Sequence, residues 1–330
     1  MRAAILNDTH DLEVADVPDP TPGPGELVLR VTACGICGSD LKLRPVMPAG
    51  LVMGHEFCGE VVAVGGDTDG TWNEGQHVTA LPLIGCGHCL ACLSGEPAHC
   101  AQIDMVGVGG SPGAFAEYVR VHSRETIALP ESLDPALGAL VEPLAVGLHA
   151  VERSLPRAGD RALVIGAGPV GLAVMTWLAH FGVRELVVSD PSAVRRAAAA
   201  EFGATRTVDP TAEPLEERYD LVVECVGLPG MTDACVGAAT PHGRVVIAGV
   251  CTHPDPYVPI RAVIKELTMA FAVYYTRREF FSVVDALERR TIDAAPFVTD
   301  QVGLAGANDA FRALTEAKEH RKILVLPELG

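Results

Sequence analysis

Two hydrophobic rhythms divide this chain. In the first third, apolar and polar positions alternate over short stretches, as in Leu27-Val28-Leu29-Arg30-Val31, Val61 to Gly66, Gln76 to Ala80 and Gly113 to Val119. That is the period-two pattern of half-buried strands, and a turn-forming segment from Pro18 to Gly25 separates the earliest of them. From Arg161 onward, short apolar runs alternate with helical stretches. Strands are expected at Arg161 to Ile165, Glu185 to Ser189, Thr205 to Val208, Asp220 to Glu224, Arg244 to Ala248 and Leu267 to Ala272. Six strands with helical connections predict a doubly wound parallel sheet. Between the two regions, Asp134 to Ser154 has helical periodicity interrupted by Pro143; proline favours the first helical position, which places Glu142 at the helix mouth. After about Arg277 the pattern predicts helices over Glu279 to Arg289 and Ala307 to Lys318 and a final strand over Lys322 to Leu326.

A chain of 330 residues accommodates two domains, each with its own core. Its 34 glycines and 24 prolines follow no repeat and accompany 48% hydrophobic residues, so the composition predicts a turn-rich globular fold rather than disorder, and the alternating strands and helices make it α/β. A formal charge of -17 argues against nucleic acid or an anionic membrane as partner. The apolar run before Asn7 is too short for a signal peptide, and no run approaches the ~18 residues of a membrane span, so the cytoplasm is the expected location. There the ten cysteines stay reduced, and clustered ones favour metal over disulfides.

Three motifs carry chemistry. The first runs from Cys34 to Glu56 and brings Cys37, Ser39 and Asp40 close in sequence to Gly54-His55-Glu56. Thiolate, imidazole and carboxylate are zinc ligand types, and the Ser39 hydroxyl lies two residues past Cys37, where it can meet a substrate oxygen. The second is a lobe over residues 84–101 with cysteines at 86, 89, 92 and 100 and almost no apolar residue to pack. Cys86, Cys89, Cys92 and Cys100 around a tetrahedral zinc would staple it and leave no open position. An iron-sulfur cluster fits less well, because the fourth cysteine is distant and lacks a following proline; two disulfides are disfavoured by compartment. His88 and His99 read as solvated loop histidines. The third motif is Gly166-Ala167-Gly168-Pro169-Val170-Gly171, immediately after a strand and opening a helix. Gly166 makes the turn, Gly168 admits the pyrophosphate and Gly171 permits close helix packing. Asp190 closes the second strand, where it would accept the adenosine ribose hydroxyls and repel a 2'-phosphate, selecting NAD over NADP. Arg195 and Arg196, a turn into the next helix, read as a solvated face. Val226-Gly227 and Gly249-Val250 end the fourth and fifth strands at the carboxyl edge, the place for the nicotinamide half.

Together these motifs resemble the zinc-dependent medium-chain alcohol dehydrogenases, closest to the sorbitol, 2,3-butanediol and threonine dehydrogenase branch. The resemblance implies a GroES-like β-barrel catalytic domain over residues 1–146 and 277–330 and a Rossmann domain over 147–276. It implies two zinc ions per chain and NAD. Cys37, His55 and one carboxylate would hold the catalytic zinc, with Glu142 and Glu56 exchanging or one of them acting through the bound water. Glu142 in Glu-Pro-Leu-Ala-Val is typical of the polyol and vicinal-diol branch; read without the family, it is an acid favoured by the helix dipole. Ser39 would accept the hydrogen bond of the alcohol proton, Asp40 would orient His55, and Arg321 matches a position that contacts the cofactor phosphates. The implied activity is hydride transfer between NAD and a secondary alcohol or its ketone, the alcohol being a polyol, vicinal diol or cyclitol. An amino-alcohol dehydrogenase of the threonine type, or a zinc- and nucleotide-binding relative without turnover, is the alternative. The family joins edge strands into dimers and tetramers, so a homo-oligomer, tetramer before dimer, is expected through Leu267 to Ala272. Two departures touch the substrate pocket. Lys42 stands where many members have a histidine relay, so the proton would leave through Lys42 as candidate acceptor, a cofactor ribose hydroxyl or ordered water, and the Lys42 to Met53 loop is shorter than usual. Cys34, Cys58, Cys225, Cys235 and Cys251 match no ligand position and read as structural thiols.

Overall fold

The computed structural model describes residues 1–215, 218–316 and 319–329. The chain divides into two compact units, residues 1–142 with 276–330 and residues 143–275.

The first unit is built around the strand Glu26–Gly35, whose inward positions Leu27, Leu29, Val31 and Cys34 are buried. Along one side it pairs antiparallel with Glu56–Val64, through two register shifts that bend the sheet. Along the other side its first half pairs with Tyr118–His122 and its last two residues with Lys322–Val325. His77–Ala80, Thr126–Ala128 and Val298–Val302 complete the curved sheet, giving the expected barrel-like β domain. The segment Gly113 to Glu117, expected as strand, instead hydrogen-bonds as a bent chain to Val52, Met53 and Gly54. The strand proper begins at Tyr118. The core includes Leu27, Phe57, Phe115 and Phe311, the last two meeting edge to face at 5.8 Å. The helix expected from Glu279 starts two residues earlier, Arg277–Glu288, because Thr276 and Glu279 form a reciprocal capping box. The helix from Ala307 runs to Glu316, and its expected end at Lys318 lies outside the described residues.

In the second unit all six strands are parallel. Their spatial order is Arg206–Val208, Glu185–Ser189, Arg161–Ile165, Tyr219–Glu224, Ala239–Ile247 and Thr268–Phe271, so the chain winds outward in both directions from Arg161–Ile165. This is the expected doubly wound sheet, with its switch point between the first and fourth strands. The fifth strand starts five residues before the expected Arg244, after a register shift against Tyr219–Glu224. Thr268–Phe271 lies at the edge, where Phe271 is exposed, as are Val263 and Ile264 on the preceding helix. Among the described residues, no helix is long and apolar enough to cross a membrane.

Candidate active site

The first cluster is assembled by two bends and a strand. Cys37 precedes the short helix Gly38–Leu43, and its backbone N–H donates to Asp40 Oδ2 at 2.9 Å. That bond fixes Asp40, which is fully buried, with its other oxygen 3.2 Å from His55 Nδ1. The opposite ring atom, His55 Nε2, lies 3.3 Å from Ser39 Oγ. Gly54 delivers His55 to this place: its φ of +98° is a left-handed conformation, and a side chain there would strike Cys34 and Phe115. Glu56 then opens the strand Glu56–Val64.

One ligand atom each from Cys37, His55 and Glu56 falls within 4.8 Å of the others. A thiolate, an imidazole and a carboxylate in that proximity suit zinc. The electrostatics suit it as well. Burial alone would lower the pKa of His55, but the charge of Asp40 and hydrogen bonds to Asp40 and Cys37 raise it well above the usual histidine range. A pocket whose negative field retains a proton on a buried imidazole also attracts a divalent cation, which would displace that proton on binding.

Lys322 is the residue that the sequence reading missed. It is completely buried, and its Nζ donates to Glu56 Oε2 at 2.5 Å, Glu56 Oε1 at 2.7 Å and the Ile36 carbonyl at 3.1 Å. Burial works against its charge, yet Glu56 and Cys37, with a contribution from Glu142, raise its pKa above the ordinary lysine value. Glu142 is therefore felt within the same neighbourhood, although it lies outside the three-residue cluster. It sits buried in the first turn of the helix Val141–Ser154. That helix continues directly from a 3-10 turn over Pro135–Leu140, so Pro143 occupies the first turn rather than the first position. Lys42 is exposed on the last turn of Gly38–Leu43, and the desolvation expected to make it a proton acceptor is absent. Cys34 and Cys58 are buried thiols whose pKa values burial pushes up, Cys58 to about 12.

In the lobe, Cys86, Cys89, Cys92 and Cys100 bring their sulfurs within 4.8 Å of one another. Backbone N–H groups of His88 and Cys89 lower the pKa of Cys86 to about 6, those of Cys86 and Gln102 lower that of Cys100, and burial raises Cys92 to about 12. Amide donors aimed at sulfur favour thiolate, the form that binds metal. His88 and His99 are exposed and stay out of the cluster.

At the switch point of the parallel sheet, Gly166 turns with φ +98° and Gly168 caps the helix Pro169–His180 without a side chain, so the backbone N–H groups of the first turn, at Val170 and Gly171, stay uncovered. A Cβ on Gly171 would collide with the Gly166 carbonyl. Asp190 is buried, with Oδ2 accepting from Ala167 N at 2.9 Å and Oδ1 from Ser192 N at 2.8 Å. Arg195 Nη1 lies 3.9 Å from its carboxylate, while Arg196 pairs with Asp209 at 3.0 Å. Glu224, also missed, accepts from Val226 N at 2.6 Å and Gly227 N at 2.7 Å through Oε1, and from Gly249 N at 3.2 Å through Oε2. One buried carboxylate thus ties together the two loops expected at the nicotinamide half, leaving Val250 exposed. Arg321 is half-buried, with its N–H on Thr299 Oγ1 at 3.1 Å.

Residues 23–131 match the alcohol dehydrogenase GroES-like domain and residues 169–289 the zinc-binding dehydrogenase family. The chain is 33% identical to (R,R)-butanediol dehydrogenase of Bacillus subtilis strain 168 over 99% of its own length and 100% of that protein's. It is 28% identical to the sorbitol dehydrogenase of the same organism, covering 99% and 97%, and 27% identical to L-threonine 3-dehydrogenase of Pectobacterium atrosepticum, covering 97% and 92%. An alcohol dehydrogenase of Escherichia coli CFT073 complexed with NADH superposes with a TM-score of 0.93 at 27% identity, 99% of each chain being covered. A Sinorhizobium meliloti 1021 protein described as a zinc-binding dehydrogenase and bound to NADP superposes at 0.91 with 31% identity, again over 99% of each chain. The chain belongs to the zinc-dependent medium-chain alcohol dehydrogenases, oxidoreductases whose cofactors are zinc and a nicotinamide dinucleotide.

Proposed function

We propose that the protein oxidises a secondary alcohol, a polyol, vicinal diol or cyclitol, by hydride transfer to NAD. The observation that carries this reading is the convergence of half-buried Cys37 with buried His55 and Glu56, with Ser39 beside the imidazole. Cys37 and His55 would hold the catalytic zinc, with a carboxylate from Glu142 or Glu56, and the four lobe cysteines would hold a second zinc. Zinc at the first site supplies Lewis acidity, which lowers the pKa of a substrate hydroxyl. Asp40, facing Nδ1, orients the ring and would leave Nε2 to meet the metal. Ser39 Oγ, next to Nε2, takes the hydrogen bond of the substrate hydroxyl and passes its proton outward to water; the exposed Lys42 is given no step.

Gly166, Gly168, Pro169, Val170 and Gly171 cradle the pyrophosphate, Asp190 takes the adenosine ribose, Val226, Gly227, Gly249 and Val250 border the nicotinamide, and Arg321 meets the phosphates. Asp190 favours NAD because a 2'-phosphate would approach its buried carboxylate. The exposed Phe271, Val263 and Ile264 support self-association through the edge strand, as a tetramer before a dimer; light scattering that finds a monomer refutes this part.

The test is a set of alcohols followed by NADH absorbance. Turnover with 2,3-butanediol or sorbitol is expected. Turnover confined to threonine would transfer the protein to the amino-alcohol class, and turnover with none of them would leave the non-catalytic reading. Equal use of NAD and NADP by the wild type would overturn the role of Asp190, whose replacement by Ser is expected to shrink the NAD preference about tenfold.

A further inference from the structure

Glu56 follows His55 directly, so its backbone cannot be moved away from the metal position; only the direction of its side chain can be controlled. Lys322 controls it. Its ammonium engages both carboxylate oxygens, at 2.5 and 2.7 Å, and spends its remaining donor on the Ile36 carbonyl at 3.1 Å. Ile36 adjoins Cys37 as Glu56 adjoins His55, so one buried side chain ties the two ligand-bearing segments together. Gly35 leaves the room for this. A Cβ there would press on the Glu56 carboxylate and come within 3.2 Å of the lysine stem. Both charges are almost wholly buried, and water does not compete for either.

We propose that Lys322 is a positioning residue that restrains Glu56 as a withheld ligand: the carboxylate stays within reach of the metal position but committed to the ammonium, which keeps the fourth position open for substrate. Binding of Glu56 to the metal would require breaking two charge-assisted bonds and would strand a buried ammonium, so the restraint is strong. The inference rests on the reading of Cys37 and His55 as metal ligands, and it makes Glu142 the resident carboxylate.

Cobalt substitution of the full-length protein tests it, because the visible bands of Co2+ report ligand set and coordination number without turnover. The signal of this site is the part of the spectrum lost in Cys37→Ser, and azide titration reports whether a position is open. In Lys322→Met the released Glu56 is expected to fill that position, shifting the bands and weakening azide binding about tenfold or more, whereas Lys322→Met with Glu56→Gln returns both to within about twofold of wild type. Wild-type bands and azide affinity in Lys322→Met would overturn the proposal, as would a band shift in Glu56→Gln alone, which would show Glu56 already bound. If Lys322→Met does not fold, Lys322→Gln is read in the same way, since it keeps the stem and removes the charge. A cobalt spectrum indifferent to Cys37→Ser would refute the ligand assignment itself, and the proposal with it.

Discussion

The two cysteine-bearing clusters use similar ligand chemistry in opposite surroundings. In the lobe, four sulfurs converge from irregular chain, a four-residue helix and exposed leucines at positions 90 and 93. Backbone amides donate to Cys100, and the side chains of Arg124 and Arg277 reach the lobe from outside it. In the other cluster the side chains of His55 and Glu56 are buried, and each is attended by another side chain: Asp40 on His55, Lys322 on Glu56. A closed four-thiolate set needs only its metal, because all positions are filled by the protein. An open set has to be held in shape by its neighbours, since the vacant position contributes no bond.

That difference is broken most sharply by exchanging one sulfur in each cluster. Cys37→Ser is expected to lower turnover about a thousandfold, roughly 4 kcal/mol of transition-state stabilisation, with little change in melting temperature. Cys89→Ser is expected to do the reverse, lowering the melting temperature by on the order of 10 °C while folded molecules keep their rate. Metal analysis completes the pair: about two zinc ions in wild type, and one in each variant. A lone zinc that vanishes in Cys37→Ser would remove the lobe's metal from the picture.

A smaller effect separates buried charge from ligand. In metal-free protein, Lys322→Met leaves Glu56 buried and unpaired and is expected to cost about 3 kcal/mol in denaturant unfolding; removing both charges with Glu56→Gln should restore most of it. An unchanged midpoint in Lys322→Met would show that the pair is not buried in solution.

The smallest effect concerns the loop behind His55. Asp104 accepts hydrogen bonds from Met105 N at 2.8 Å, Gly110 N at 2.6 Å and Ser111 Oγ at 2.6 Å. Although burial works against its charge, these bonds from Ser111, Gly110 and Met105 hold its pKa below the usual aspartate value. A depressed carboxylate contributes stability that is present above its unfolded pKa, near 4, and lost as pH falls through the lower folded value. Asp104→Asn should therefore cost about 1 kcal/mol at neutral pH and flatten the acid limb of a melting curve series. The loop packs against Gly54, so the loss reaches the catalytic cluster and leaves the lobe's metal content unchanged.

How much of this was legible beforehand follows from distance along the chain. The cysteine spacing, Gly-His-Glu and the glycine turn are local patterns, and the residues they contain converge as local geometry requires. Parallel strands were legible to within a few residues because apolar runs between helical stretches leave few alternatives. The start of Arg277–Glu288 was written in Thr276-x-x-Glu279, but apolar periodicity begins later and drew the boundary inward. Lys322 was beyond such reading. A lysine opening the apolar run Lys-Ile-Leu-Val-Leu signals a buried charge, yet nothing in the run indicates which carboxylate, 266 residues earlier, receives it. Glu224 escaped for a related reason: it looks like the polar end of a strand, and only the fold brings Gly249 to its second oxygen.

The same separation has a consequence during synthesis. Glu56 leaves the ribosome 266 residues ahead of Lys322, an interval of roughly 13 to 53 seconds at ordinary elongation rates. The strand Glu26–Gly35 waits longer still for its neighbour Lys322–Val325. Throughout that time the carboxylate beside His55 has no ammonium to hold it, and a metal ion arriving early would meet a different set of donors from the one in the finished protein. Translation as far as Lys322 is thus a condition for the site to reach its final form.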